Sequence, residues 1–309
     1  MRVTQGMLTG NMLRNVSNSY QDIGKYMEQL STGKKINNPS DDPVVAMKGM
    51  NYRTQVKNTD QYERNINEVH TWMDNSDDAM DKAQDALDRL RELAVQGSND
   101  TYEEGQRGNI ASEVEQLRDH LLDVANTKVN NKYIFSGTQT TGNDGDEPYQ
   151  INGDDPTDND FFDFNGNSSN VNIEVSDGVK LPVNVTPDQV FTKENAEGNN
   201  MFETVTNFAN DLRDGASGED LNQYIAQIDE HIDDNVNARA DLGARQNRIE
   251  LIEDRVQSQG ISAEEMMSDN EDADMEKVIM KLTSQESVHR AALSAGARVI
   301  QPTLMDFLR

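Results

Sequence analysis

Proline placement sets the hardest limit on how this chain can fold. Its seven prolines are Pro39, Pro43, Pro148, Pro156, Pro182, Pro187 and Pro302, so residues 44–147 and 188–301 contain none. An interior proline breaks a helix, which makes these two spans the places where long helices can form.

The apolar periodicity agrees. Tyr62, Ile66, Val69, Met73, Ser76, Met80, Ala83, Leu87, Leu90 and Ala94 step 4-3-4-3 without a break. That spacing predicts a heptad seam. Gly97, Ser98, Asn99 and Asp100 then end the helix. A second seam runs Ile110, Val114, Leu117, Leu121, Val124. A third runs Leu221, Ile225, Ile228, Ile232 and resumes at Leu242, Ile249 and Val256. Shorter seams lie near the ends, at Leu13, Val16, Tyr20, Ile23, Met27, Leu30 and at Met275, Ile279, Leu282. Between about 137 and 218, Gly- and Asn-rich turns separate short β-type runs at 161–164, 171–175 and 179–185.

The expected fold is therefore mainly α: an elongated antiparallel coiled-coil rod built from the N- and C-terminal segments, with a small β-rich inserted domain. Residues 1–42 and 277–309 are expected to be terminal helical arms, ordered only against other subunits. Residues 43–137 and 219–276 are expected to form the rod. Residues 138–218 are expected to form the insert, facing solvent.

Several function classes fall away on composition. Fifty-six acids against 28 bases leave a net charge of −28, which suits neither a phosphate backbone nor nucleic acid generally. With no cysteine there are no disulfides, no thiol catalysis and no Cys-ligated zinc. No apolar run reaches bilayer length, so no membrane insertion is expected. The first 20 residues lack the h-region of a cleaved signal peptide, which predicts a cytosolic protein or export by a route without one. Gly137 and Gly142 have P-loop spacing, but Asn143 and Asp144 stand where Lys and Ser/Thr are needed. Phe161 and Asn172 spoil an EF-hand reading around Asp163, although loose calcium binding by the acidic turns stays open. His70, His120, His231 and His289 form no ligand pair, and no Ser/His/Asp arrangement stands out. No enzyme, metal or cofactor is expected.

Four ordered stretches carry more than periodicity. Leu30 to Pro43 (LSTGKKINNPSDDP), Leu87 to Gln96 (LDRLRELAVQ), Glu113 to Leu117 (EVEQL) and Ala291 to Leu308 (AALSAGARVIQPTLMDFL) resemble the first bend, second helix, third helix and C-terminal arm of the bacterial flagellin superfamily. Residues 41–46 (DDPVVA) depart from the Asp-Asp-Ala-Ala-Gly of filament flagellins. Asn131 to Thr140 (NKYIFSGTQT) and Gly296 to Pro302 resemble the hook-associated members instead. Elementary chemistry explains the bend by itself: Gly33 can end a helix in left-handed geometry, Asp42 can N-cap the next, and Pro43 fits its first position.

The resemblance implies a structural subunit of the extracellular flagellum, exported without a cleaved signal and standing at the junction between hook and filament. Its implied partners are hook-associated protein 1 (the preceding junction protein), flagellin, copies of itself in a ring, and a flagellar export chaperone on the C-terminal arm. Assembly is assigned to Leu13, Val16, Ile23, Leu30, Ile36, Leu304, Phe307 and Leu308, and the bend and cap to Gly33, Asn37, Asp41, Asp42 and Pro43. Arg89, Leu93 and Glu113 match the flagellin patch seen by innate immune receptors. The alternatives are filament flagellin itself, or an adhesin or lytic enzyme with its activity in the insert.

Charge is unevenly spread. Residues 1–60 hold 8 bases and 5 acids, and residues 277–309 hold 5 and 2, whereas residues 61–276 hold 15 and 49. The acid lies where solvent is expected, and the ends proposed to pack together are not acidic.

Overall fold

The computed structural model describes residues 5–99, 104–142, 146–153 and 161–300. The helices are α1 (Gln5–Thr32), α2 (Pro43–Gly97), α3 (Glu104–Ala125), α4 (Met201–Arg213), α5 (Gly218–Leu221), α6 (Gln223–Glu271) and α7 (Met275–Ile300). The strands are β1 (Lys128–Val129), β2 (Lys132–Tyr133), β3 (Tyr149–Ile151), β4 (Phe162–Phe164), β5 (Asn172–Ser176) and β6 (Val179–Pro182). They pair as three two-stranded antiparallel sheets, β1-β2, β3-β4 and β5-β6, the last with an irregularity between Glu174 and Ser176. The fold is mainly α, as the proline gaps require. No helix among the described residues is long and apolar enough to cross a membrane.

The chain divides into two compact units. The arm unit is Met1–Thr59 with Ser258–Arg309, and the central unit is Asp60–Gln257. Both cuts fall inside continuous helices, α2 and α6, so they lie some way from the expected boundaries at 42/43 and 276/277.

The central unit is organised by the long seam. From Ile66 to Ala94 every seam residue is buried, Ser76 included, and Tyr62 packs at its edge. Antiparallel rungs tie α2 to α6: His70 to Glu253 at 3.0 Å, Arg239 to Asp77 and Asp81 at 3.0 and 2.8 Å, and Arg91 to Asp229 at 2.5 Å. A second stripe, Trp72, Ala79, Ala86 and Leu93, is also buried at seven-residue spacing. Buried faces on both sides of the seam are expected of a helix with more than one neighbour.

The segment 138–218 belongs to the central unit and shares its core with the helices. Hairpins of two to five residues per strand cannot bury a core of their own. Their aromatic faces therefore pack inward, in one cluster with the helices. Tyr149 lies 4.9 Å from Phe164 and 5.7 Å from Phe191, which meets Phe135 edge-on at 5.1 Å. The Tyr149 hydroxyl donates to the Phe135 carbonyl at 2.6 Å, and burial raises its pKa well above the ordinary value. Asn65 donates to the Glu174 carbonyl at 2.7 Å, and Arg245 to that of Asn184 at 3.0 Å. The segment also contains a full helix, α4, N-capped by Asn200, whose side chain accepts from the Glu203 amide while Glu203 accepts from the Asn200 amide.

The Gly137 motif gains a structural reason here. Gly137 has φ of +66°, and a Cβ there would sit 1.9 Å from the backbone oxygen of Asn167. Asn167 in turn receives the Thr138 amide at 3.0 Å and donates its own amide to the Ser136 carbonyl at 3.2 Å. Glycine is needed for close backbone approach, not for phosphate.

The α6 face interrupts its apolar stripe with polar residues. Asn235 is fully buried and donates to the Met80 carbonyl at 3.0 Å and to Gln84 at 2.9 Å. His231 is 1% exposed, 3.1 Å from the Thr204 hydroxyl. Burial lowers its pKa to about 4, against the opposing pull of Asp234 and Glu230 and with a smaller push from Lys193. The folded state therefore favours neutral His231. Its contribution is complete above the ordinary value of 6.5 and is lost as pH falls from there to about 4, by up to ~3 kcal/mol. Urea unfolding followed by the single tryptophan, Trp72, should show that loss in the native chain and a smaller one in His231→Gln. Equal pH slopes for the two would contradict it.

Candidate assembly site

The arm unit brings two helix breaks together. Gly33 closes α1 with φ of +70°, its amide bonded to the Gln29 carbonyl at 2.9 Å. A side chain there would meet open space, so the glycine is demanded by backbone geometry alone. Asp42 Oδ1 accepts the Val44 and Val45 amides at 3.0 and 3.1 Å, and α2 opens on Pro43. Asp41 accepts the Asn38 amide at 3.1 Å, tightening the turn that also carries Asn37. At the second break Asp274 accepts the Lys277 amide at 3.1 Å, and its pKa is lowered first by the Lys277 side chain. Sequence reading passed over Asp274. Its signal was an Asp three residues before Lys277 at the head of an apolar run.

The two breaks are laced to each other. Lys35 donates its amide to the Glu271 carbonyl at 2.7 Å, and Ala273 donates to that of Gly33 at 2.8 Å, around a bridge between Lys34 and Asp272. Lys34 Nζ is 2.7 Å from Asp272 and 3.5 Å from Glu271. Arg53 reaches Glu271 at 2.7 Å. The bond to Asp272 raises the Lys34 pKa, and the same bond, with Ser268, lowers that of Asp272. Glu271 itself is 5% exposed. Gly49 makes room for it, since a Cβ there would lie 2.5 Å from its Oε1. Beside this pair lies a cavity of about 310 Å³ lined by Ile36, Pro39, Pro43, Met47 and Met50. None of Glu271, Arg53, Lys34 or Asp272 stands out in the sequence, because an acid inside an acidic stretch and a lone base on a helix or turn carry no local signal of a distant partner.

Beyond the joint, α1 and α7 run antiparallel. Asp22 meets Gln285 at 3.2 Å, the rings of Tyr20 and His289 lie 6.2 Å apart, and Gly296 is seated against Met12. The expected α1 seam is only half used. Val16, Ile23 and Leu30 are partly buried, as is Ile36 beyond the end of the helix, whereas Leu13, Tyr20 and Met27 are 70, 71 and 56% exposed. A two-helix hairpin covers one ridge of each helix and leaves the next open. Ile279 and Leu293 are left half-exposed on α7. Leu304, Phe307 and Leu308 lie outside the described residues.

Arg89 and Glu113 do come together, at 2.7 Å, bracing α2 to α3, with Glu92 also on Arg89. Leu93 is 1% exposed in the core. It therefore drops out of any surface patch with them, because it belongs to the second buried stripe. Among the described residues no group of three or more His, Asp and Glu could hold a metal.

Charge and apolar exposure divide along the same line. The arm unit carries 13 bases and 13 acids, and the central unit 15 and 43, the whole of the net −28. Of the large apolar residues exposed among the described ones, 14 lie in the arm unit and three, Val95, Val236 and Leu251, in the central unit.

Replacing Glu271 by Ala should leave Lys34 and Arg53 without their shared buried acceptor, loosening the joint by about 1 kcal/mol after allowance for the exposure of both cations. Tryptic cleavage at Lys34–Lys35 should speed up several-fold while Trp72 fluorescence stays native. Unchanged cleavage would show that the lacing does not hold the bend.

Comparison with known proteins agrees with this architecture. Residues 3–140 match the bacterial flagellin N-terminal helical region, and residues 225–308 match the C-terminal helical region. The flagellar hook-associated protein 3 of Escherichia coli is 22% identical over 315 residues, covering 96% of each chain. The flagellin of Bacillus subtilis is 25% identical, covering 100% of each. Among solved structures, a putative flagellar hook-associated protein from Vibrio parahaemolyticus aligns with a TM-score of 0.66 at 19% identity, over 75% of this chain and 100% of that one. The flagellar junction protein of Legionella pneumophila aligns with a TM-score of 0.58 at 19% identity, over 73% and 100%. The two family regions span more than two-thirds of the sequence and meet in space at α1 and α7, and on that basis the chain belongs to the bacterial flagellin family.

Proposed function

We propose that this chain is a structural subunit of the bacterial flagellum, not an enzyme, and that it acts as hook-associated protein 3 does, at the junction of hook and filament. The observation that carries the assembly reading is the open stripe Leu13, Tyr20 and Met27 on a unit of zero net charge. Exposed apolar residues at seven-residue spacing are half of a coiled-coil seam, and such a half needs a partner. The arms supply that contact, to copies of this chain in a ring, to the preceding junction protein (hook-associated protein 1) on one side and to flagellin on the other. The apolar character of Leu304, Phe307 and Leu308 supports a share in assembly and a grip for an export chaperone before it. Export proceeds without a cleaved signal, and the product stands outside the cell in the flagellum.

The joint then has a mechanical role. Gly33, Asn37, Asp41, Asp42 and Pro43, with the Lys34, Arg53 and Glu271 lacing, set the angle at which the arms leave the joint. The surviving alternative is filament flagellin itself, favoured by the full-length similarity to the Bacillus subtilis protein. Residues 41–46 and 131–140 favour the junction reading.

A strain lacking this chain should make hooks without filaments and release flagellin to the medium. The variant with Leu13→Asp, Tyr20→Asp and Met27→Asp should fail to restore filaments while its central unit melts as in the native chain. Normal filaments in the deletion strain would overturn the junction role. Restoration by the triple variant would overturn the stripe. Growth of long filaments by the purified chain on seeds would favour flagellin.

A further inference from the structure

Methionine is concentrated in the arm unit. Eleven of the 14 methionines lie in the arm unit. The three in the central unit, Met73, Met80 and Met201, are all 0% exposed. In the arm unit, Met7 and Met27 on α1, Met47 and Met50 on α2, Met266 on α6, and Met275 and Met280 on α7 are between 41 and 64% exposed. They make up half of the large apolar residues that unit exposes among the described residues. With no cysteine in the chain, there is no thiol to react ahead of them, and thioether is the oxidisable sulfur an oxidant meets.

We propose that these seven methionines make the assembly surface of the free subunit sensitive to peroxide, so that their oxidation blocks its incorporation at the junction while the central unit keeps its fold. The inference rests on the assembly reading above. The thioether sulfur attacks one oxygen of hydrogen peroxide and the O–O bond breaks. That oxygen stays on sulfur as the sulfoxide, and the other leaves as water after proton transfer. Sulfur is oxidised by two electrons and the peroxide reduced by two. Hydrogen peroxide is uncharged, so the acidic central unit does not repel it.

The consequence follows from polarity. A sulfoxide turns a flexible apolar side chain into a polar one and disrupts methionine-rich interfaces. Met27 belongs to the open α1 stripe, and Met47 and Met50 line the cavity at the joint. Each sulfoxide there must be desolvated when a partner covers it. Met73 and Met80 sit in the central seam, out of reach of the oxidant while the seam is closed. The change is reversible, since methionine sulfoxide reductases restore the thioether with a thiol reductant.

The test is to treat the full-length chain with hydrogen peroxide, map sulfoxides by peptide mass spectrometry, and follow its assembly onto isolated hooks that carry the preceding junction protein by co-sedimentation. Sulfoxide is expected on the seven exposed methionines and not on Met73, Met80 or Met201, with helicity and Trp72 fluorescence native. Assembly should fall about tenfold or more, since modest losses at seven positions multiply. Reductase treatment should restore it. A variant with Met7→Leu, Met27→Leu, Met47→Leu, Met50→Leu, Met266→Leu, Met275→Leu and Met280→Leu should keep assembling after peroxide, because leucine preserves volume and cannot be oxidised. Undiminished assembly of chain shown to carry the seven sulfoxides would overturn the proposal, as would loss of assembly in the leucine variant. Failure of the untreated chain to assemble would be seen in its own arm. It would overturn the assembly reading, and the present inference with it.

Discussion

The seam between α2 and α6 is the interaction on which the rest of the molecule depends. Nine consecutive heptad positions from Ile66 to Ala94 are buried, and ion pairs and the Asn235 bond to the Met80 carbonyl tie their helix to the antiparallel α6. Each large side chain so buried is worth about 1.5–3 kcal/mol. That total lets a chain with only 34% hydrophobic residues hold a core at all. It also allows the acids, because a narrow apolar stripe leaves most of each helix surface to water. Asn235, bonded to the Met80 carbonyl and to Gln84, adds specificity of register, since a slip by one turn would bury its amide without a partner.

On this base the two units divide the work. The central unit completes its own core, drawing in the hairpins and α4 through Tyr149, Phe135 and Phe191, and presents net negative charge to its surroundings. The arm unit balances its charges and leaves apolar residues uncovered. Like charge on the central units opposes indiscriminate clustering. Neutral, adhesive arms permit association where another subunit offers a matching ridge. The acids between 258 and 276 are what bring the arm unit to zero, and Glu271 and Asp272 spend their charge on Lys34 and Arg53 inside the joint.

Much of this was legible in the sequence wherever the physics is local. Proline gaps marked the helices, the 4-3-4-3 spacing marked the seam, and Gly33, Asp42 and Pro43 marked the bend through capping chemistry alone. What stayed hidden depends on which surfaces meet. Leu93 reads as a surface residue beside Arg89 until the second stripe of Trp72, Ala79 and Ala86 shows that α2 is buried on two sides. Short strands at 162–164 and 172–182 suggest a small β-rich insert, and only their aromatic contacts reveal that it shares its core with the helices. The α1 seam reads as complete, although Leu13, Tyr20 and Met27 stay largely exposed among the described residues. That open stripe is the most informative failure, because an uncovered ridge is what an assembling subunit must keep.

Hydrogen exchange on the full-length chain, free and assembled, tests the central claim most directly. If the arms carry assembly and the central unit is already complete, protection should rise sharply on assembly at α1 and α7 around Leu13, Tyr20, Met27 and Leu293. It should stay the same along the seam from Ile66 to Ala94. Protection gained chiefly in the central unit, with α1 and α7 exchanging as fast as before, would contradict the account.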